Sequence, residues 1–469
     1  MCGICGVVNI EHEDPVKSEV MKEMCDVIKH RGPDDEGILL DGHVSIGMRR
    51  LSIIDLNTGK QPISNENGSV WIVFNGEIYN HIELRNELEK KGHQFKTKTD
   101  TEAIVHAYEE WGENCVQKLN GMFGFAIWDK RKQMMFIARD RIGIKPMYYF
   151  FDGKRLIFAS ELKSILKAED IPKRVDLQAL DNFLTFEYIP APLSIFQDIK
   201  KLPAGYYLTL RDGNIKVRNY WELNFQSNGL DERSIQNNLK ELLQDAVKIR
   251  LMSDVPLGAF LSGGIDSSTT VALMAQVMDQ PVKTFSIGFE DSTYNELEYA
   301  RMIAKKFNTD HHEFIIKPDA VELTENLIGF LDEPFGDFSI FPTYLVSKMA
   351  RDYVKVVLSG DGGDELFAGY DPYIADRLFA KYAKLPRFIR NGVIAKVADI
   401  IPPTSKKKGF INRTKRFVEG AKLPEDLHHT RWMIFLQEIE KEMLYADDMK
   451  SGITENDPYK FIRHYFAKC

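Results

Sequence analysis

Cysteine is scarce in this chain: Cys2, Cys5, Cys25, Cys115 and Cys469 are the only five in 469 residues. An odd count spread so thinly makes no disulfide framework and predicts a protein of a reducing cytoplasm. Long hydrophobic runs are also missing. No apolar stretch approaches the ~18 residues that cross a bilayer, and the N-terminus has no signal-peptide core, so no membrane partner is expected. Positive charge is in deficit, with a formal net charge of -8. That excludes general binding to nucleic acid. The one dense basic stretch, "SKKKGF" at Ser405 to Phe410, reads as a solvated loop. The common nucleotide fingerprints G-x-x-x-x-G-K-[ST] and G-x-G-x-x-G are both lacking, as are a second C-x-x-C, internal repeats and low-complexity tracts.

What is present is a balanced globular composition, 44% hydrophobic and 28% charged, too long for one core. Residues 1–220 read as one α+β domain. An apolar stripe at Val20, Met21, Met24, Val27 and Ile28 predicts a helix. Two more are expected over Ile82–Lys91 and Glu102–Trp111, each stopped by glycine. "VWIVFNGEIYN" is a strand over Val70–Phe74 running into a polar turn, and "FGFAIWDKRKQMMFIARD" and "MYYFFDGKRLIFAS" are hairpins. Layered, largely antiparallel packing follows.

From residue 221 to 469 the rhythm becomes strand–helix alternation, predicting an α/β doubly wound parallel sheet with its ligand crevice at the strand ends. Asn295 is expected to cap a helix. "SGGIDSS" follows the apolar strand Ala259–Leu261 and opens a helix. Gly263 and Gly264 let backbone approach an anion, and Ser262, Ser267 and Ser268 add hydroxyls. "SGDGGDE" closes a second strand, Tyr353–Leu358. Acidic groups beside a phosphate cradle need a cation between, which makes Asp266 and Asp364 candidate Mg²⁺ ligands.

"SGGIDSS" followed by "SGDGGDELFAGY" resembles the ATP-pyrophosphatase domain of glutamine-dependent asparagine synthetases. The resemblance implies ATP as co-substrate, AMP as product, and nucleotide contacts at Leu261, Ile287, Ser359 and Gly360. It places Asp361 where the family has an acidic residue important for forming the acyl-adenylate, many members having glutamate there. "DEPFGDFSIFPTYLVS", residues 332–347, is expected to help form the acceptor pocket.

The opening "MCGICG" carries two cysteines that fit a redox couple, half a zinc site, or one nucleophile beside a small packed residue. Once Met1 is removed, the α-amine of Cys2 would serve as its own base, with a pKa near ~8. "NGE" offers Asn75 and the Gly76 N–H as an oxyanion hole. Glu77 and Asp100 suit a substrate ammonium, and Arg50 its carboxylate. "MCGICG", "HRGPD", "RLSIID", "FNGEIYN", "KTDTE" and "DRIGIKP" match, in order, the class II glutamine amidotransferases, which have an N-terminal-nucleophile αββα fold. That resemblance implies Cys2 as nucleophile and glutamine contacts at Arg50, Leu51, Ser52, Ile53, Ile54, Asn75, Gly76, Glu77 and Asp100. Cys5, His30, His311 and His312 read as structural.

Together the halves imply asparagine made from aspartate, ATP and glutamine through an aspartyl adenylate, with ammonia passing through an internal tunnel. A homodimer would suit the family. The competing expectations are amidation of another carboxylate and a glutaminase-like protein without synthetase activity. The latter is raised because the family's K-x-D-R motif is not found, which suggests a fragment or an impaired synthetase half.

Overall fold

The computed structural model describes residues 1–226, 229–289, 297–316, 320–386, 388–402, 409–455 and 457–468. Asn295 and Ser405 to Lys408 lie outside the described residues.

In the N-terminal half, twelve strands form two antiparallel six-stranded sheets. One contains β1 (Gly3–Asn9), β2 (Asp35–Asp41), β3 (Val44–Arg50), β8 (Tyr148–Phe151), β9 (Arg155–Ala159) and β10 (Ile199–Lys201), in the order β10-β8-β9-β1-β3-β2. The other contains β4 (Ile63–Ser64), β5 (Val70–Ile78), β6 (Gly121–Asp129), β7 (Met134–Arg139), β11 (Tyr206–Arg211) and β12 (Asn214–Asn219), in the order β12-β11-β7-β6-β5-β4.

Strand alternation builds the layers. Ile4 and Val8 face the core between the sheets with Val73, Trp128 and Phe158. Cys5 and Val7 face the opposite way, onto Met21, Met24 and Cys25 of α1 (Ser18–Asp26). Phe74, Phe125 and Phe136 pack on the other side against Leu84 and Leu88 of α2 (His81–Lys90) and Ile104 and Tyr108 of α3 (Asp100–Trp111). With both faces of each sheet covered, the strands read as apolar runs rather than alternations. The result is the expected αββα arrangement.

The C-terminal half holds a four-stranded parallel sheet of β13 (Leu257–Phe260), β14 (Lys283–Phe289), β15 (Asp310–Ile316) and β16 (Val356–Leu358), ordered β15-β14-β13-β16. Strand order reverses between β13 and β16, so the loops leaving these two strands flank the switch-point crevice.

Several boundaries differ from expectation. Asn75, Gly76 and Glu77 lie inside β5, which runs to Ile78, because β6 pairs with it along its whole length. Cys5 sits inside β1, which begins at Gly3. Asp100 is the first residue of α3, since the Thr99 hydroxyl accepts the Glu102 N–H at 3.3 Å and moves the cap two residues earlier than the apolar pattern suggests. The strands of the parallel sheet are shorter or shifted: β13 ends at Phe260 and β16 starts at Val356. No helix among the described residues is long and apolar enough to cross a membrane. Large apolar side chains stand exposed across the C-terminal half, among them Ile265, Phe338, Leu366, Ile400, Phe410 and Met443.

Candidate functional site: two sites on facing halves

Cys2 precedes β1 and meets the loop after β3. The Leu51 N–H points at its Sγ at 3.4 Å, and Arg31 Nε donates to its carbonyl at 2.9 Å. Burial pushes the Cys2 thiol up, and the Leu51 N–H works against that shift. Burial also lowers the Met1 amine to about 6. Lys145, whose Nζ lies 2.8 Å from Met1 Sδ, is lowered to about 8 by the same cause. The lowered amine is that of Met1; with Met1 in place the Cys2 nitrogen is a backbone amide and offers no base.

Asn75 and Gly76, the expected oxyanion donors, lie on β5 beyond its short pairing with β4. Asn75 is 1% exposed, yet neither atom of its side-chain amide has a hydrogen-bond partner among the described residues. On the same edge the Phe74 N–H donates to Gln61 Oε1 at 2.7 Å and the Ile78 N–H to Asp100 Oδ2 at 2.9 Å. Because N–H groups alternate sides along a strand, the Gly76 N–H points the same way, between them. Here glycine is required, as a Cβ would lie 2.1 Å from Met122 O.

Glu77 and Asp100 are both held above the usual carboxylate range. Burial is the main cause for each, and Asp100 adds to the shift at Glu77. Neither has an ion-pair partner among the described residues, so an incoming ammonium would supply the missing positive charge. Arg50 caps β3 and donates through Nη2 to Ile54 O and Asp55 O, both at 2.9 Å. It thereby shapes the Leu51 to Ile54 loop.

Some residues around Cys2 went unassigned from sequence, although they lie in quoted motifs. Arg31 of "HRGPD" bonds Glu161 Oε1 at 2.8 Å. Burial raises Glu161, but His30 and Arg31 outweigh it and hold the carboxyl at about 2. Asp140 of "DRIGIKP", fully buried, accepts N–H bonds from Phe123, Ile144 and Lys145 and so fixes the turn that presents Lys145. Their signal was motif membership, but charge alone gave no role. Cys5 packs against Cys25, with the sulfurs 3.5 Å apart.

In the C-terminal half, the two strand-end loops close on one cavity of about 730 Å³. Leu261, Ser262, Gly264, Asp266, Ser267, Ile287, Ser359, Gly360, Asp361 and Asp364 all line it. Gly263 and Ser268 stand behind the wall. Gly263 adopts φ +84°, and a Cβ there would meet Tyr299 Cβ at 2.5 Å, so the turn demands glycine. The hydroxyls of Ser262 and Ser267 lie 3.0 Å apart, and Ser359 Oγ donates to Asp361 Oδ2 at 2.9 Å. Among the described residues no lysine or arginine lines the cavity, and neither Asp266 nor Asp364 has an ion pair. Two carboxylates without ion pairs among the described residues, on a cavity large enough for a small-molecule ligand, fit a divalent cation. Sequence reasoning missed the apolar wall of Phe260, Phe285 and Val346, which motif spacing does not mark.

A second cavity, about 450 Å³, lies between the halves. Pro146, Tyr148, Ser160 and Glu161 line it from one side; Asp332, Glu333, Phe335 and Thr343 from the other. Ser160 Oγ accepts the Ile4 N–H at 3.0 Å, close to Cys2 in sequence, and Thr343 lines both cavities. The segment expected to form the acceptor pocket thus borders both.

Comparison with known proteins agrees with this two-part layout. A glutamine amidotransferase domain model matches residues 1–221 and an asparagine synthase model residues 238–449. The chain is 36% identical to asparagine synthetase [glutamine-hydrolyzing] 1 of Bacillus subtilis, over 98% of this chain and 74% of the relative. It is 39% identical to putative asparagine synthetase [glutamine-hydrolyzing] 2 of Methanocaldococcus jannaschii, over 98% and 89%. Against asparagine synthetase B of Escherichia coli identity is 33%, over 79% and 65%. The chain belongs to the family of glutamine-hydrolysing asparagine synthetases.

Proposed function

We propose that the chain makes asparagine from aspartate, using ATP and ammonia cut from glutamine, with residues 1–220 as glutaminase and 221–469 as synthetase. The Cys2 thiolate attacks the glutamine side-chain amide while its own α-amine, freed by loss of Met1, takes the proton. Asn75 and the Gly76 N–H hold the oxyanion. Ammonia leaves, and water clears the glutamyl thioester. Glu77 and Asp100 bind the substrate ammonium, and Arg50 with the Leu51 to Ile54 loop its carboxylate.

In the other half the aspartate side-chain carboxylate attacks the α-phosphorus of ATP, releasing pyrophosphate and giving the aspartyl adenylate. Ammonia then displaces AMP. Ser262, Gly264, Ser267, Ser359 and Gly360 cradle the phosphates with Leu261 and Ile287 beside the nucleoside, and Gly263 and Ser268 shape the turn. Asp361 supports adenylate formation. Asp266 and Asp364 would hold Mg²⁺, which when bound neutralises phosphate oxygens. The carrying observation is Thr343, shared between the nucleotide cavity and the cavity that reaches Ser160. It supports a sheltered route in which ammonia stays unprotonated. The reading includes a cytoplasmic homodimer acting on small molecules.

Product analysis with ATP, Mg²⁺ and aspartate tests it, run with glutamine and with ammonium. Asparagine and AMP in both, with Cys2→Ala losing only the glutamine reaction, is the expected result. Glutamate release with no AMP under any condition overturns the synthetase assignment.

A further inference from the structure

Outside both sites, four side chains from three separate stretches meet on one flank of the N-terminal half. Glu66 follows β4, His93 follows α2, and His106 and Glu109 lie one turn apart on α3. Their ligand-type atoms all fall within 4.8 Å of one another. His106 Nδ1 is 3.1 Å from Glu109 Oε2 and 3.8 Å from Glu66 Oε1, and His93 Nδ1 is 3.8 Å from Glu109 Oε2. We propose that Glu66, His93, His106 and Glu109 form a structural site for one Zn²⁺ ion.

An outer shell carries the proposal beyond mere clustering. Each histidine turns one nitrogen into the cluster and its other toward a separate carboxylate. His106 Nε2 lies 3.7 Å from Glu102 Oε1, and His93 Nε2 lies 3.6 Å from Glu110 Oε2. Metal-bound imidazoles are oriented in this way by carboxylates behind them. Glu102 is itself pinned by the Lys96 and Thr97 N–H groups. The Glu109 oxygen facing away from the cluster accepts Asn65 Nδ2 at 2.6 Å, and Glu66 Oε1 accepts the Gln94 N–H at 2.9 Å. His106 is fully buried and its Nε2 has no hydrogen-bond partner among the described residues.

Charge points the same way. The four carboxylates of Glu66, Glu102, Glu109 and Glu110 face two fixed cations, Lys91 on Glu110 and Arg131 at 3.9 Å from Glu109. These carboxylates outnumber the neighbouring lysine and arginine cations, which favours a cationic occupant. Two imidazoles with two carboxylates favour Zn²⁺ over Mg²⁺ or Ca²⁺. Zinc bonds of about 2.0–2.1 Å put tetrahedral ligands about 3.3 Å apart. Closing the present distances to that value takes side-chain movements on the order of 1 Å. The ion would tie the loops after β4 and α2 to the helix that begins with Asp100.

The test uses the full chain carrying Cys2→Ala, to remove the half-buried thiol, in excess Mg²⁺ to occupy oxygen-rich sites. Co²⁺ serves as the spectroscopic probe. The expected result is an intense visible band of four-coordinate Co²⁺ saturating at one equivalent, abolished by Zn²⁺. His93→Gln and Glu66→Gln, both at the rim of the cluster, should each weaken Co²⁺ binding at least ~10-fold. They should also cancel the rise in Tm that Zn²⁺ gives the parent. Absence of a stoichiometric band, or unchanged binding in both variants, overturns the site and leaves the cluster an ion-pair network around a protonated His106.

Discussion

Replacing Asn75 with alanine separates catalysis from stability. The side chain is buried, and both polar atoms of its amide lack partners among the described residues. A buried unsatisfied amide costs about 1–3 kcal/mol, so truncation relieves a penalty while losing only a little packing. The expected Tm is unchanged or raised, at about 2–4 °C per kcal/mol for a unit of this size. Activity moves the other way. Loss of one oxyanion donor removes about 2.7–4 kcal/mol of transition-state stabilisation, a 10²–10³-fold fall in kcat. The glutamine KM should stay within a few-fold, because the contact strengthens only as the oxyanion forms. Glutamate release and calorimetry on the same preparation measure both, with ammonia-dependent AMP formation as the internal control. A Tm several degrees lower, with the ammonia reaction falling in parallel, would show Asn75 to be a structural prop and refute the argument.

Gly263→Ala places a side chain at φ +84° and 2.6 Å from Ala300 N. The left-handed backbone alone costs roughly 1–2 kcal/mol, so ATP–pyrophosphate exchange should collapse while glutaminase activity persists. Glu161, held at about 2 by His30 and Arg31, has a depressed folded-state pKa. Its stabilisation is therefore full above the unfolded value near ~4.5 and lost as pH falls toward ~2. Glu161→Gln should flatten the acid limb of a Tm-versus-pH curve over that window. Lys201→Ala leaves Glu333 unpaired at the interface between the halves, where Lys201 now meets it. Breaking a fully buried pair costs about 3–5 kcal/mol, and this half-buried one should cost less. Loosening this wall of the shared cavity should raise the ratio of glutamate released to amide formed above one, read by amino-acid analysis.

The sequence carried the parts whose chemistry is local. Gly/Ser and Gly/Asp loops after apolar strands announce an anion site wherever the strands lie, and both loops do line one cavity. The N-terminal motifs likewise brought Cys2, Asn75, Asp100 and Arg50 into one half. Polar residues mislead where a strand remains paired: "NGE" reads as a turn, yet β6 holds Asn75 to Glu77 in the sheet. Long-range encounters were illegible for a plain reason. Glu66, His93 and His106 are spaced by loops of unrelated length, and only the packing of α3 against its neighbours brings them together. Lys201 and Glu333, from different halves, meet for the same reason.

The loop from Leu51 to Asp55 belongs physically to both halves. At one end its Leu51 N–H touches the Cys2 sulfur. At the other, Ile53 O accepts the Asp254 N–H at 3.1 Å, and the Asp55 N–H donates to Asp254 Oδ2 at 2.8 Å. Lys355 Nζ binds Asp34 Oδ2 at 2.9 Å, which in turn accepts the Ser52 N–H. Asp254 and Lys355 lie just ahead of β13 and β16, the two strands whose far ends carry the Gly/Ser and Gly/Asp loops. At ~3.3 Å per residue, the four residues of β13 span only about 13 Å between these ends. A short, paired strand is stiff, so the Leu51 to Asp55 loop is braced against the element that positions Ser262 to Ser268. This frame, built almost wholly from backbone groups and three charged side chains, ties the loop that touches Cys2 to the strands that carry the Gly/Ser and Gly/Asp loops.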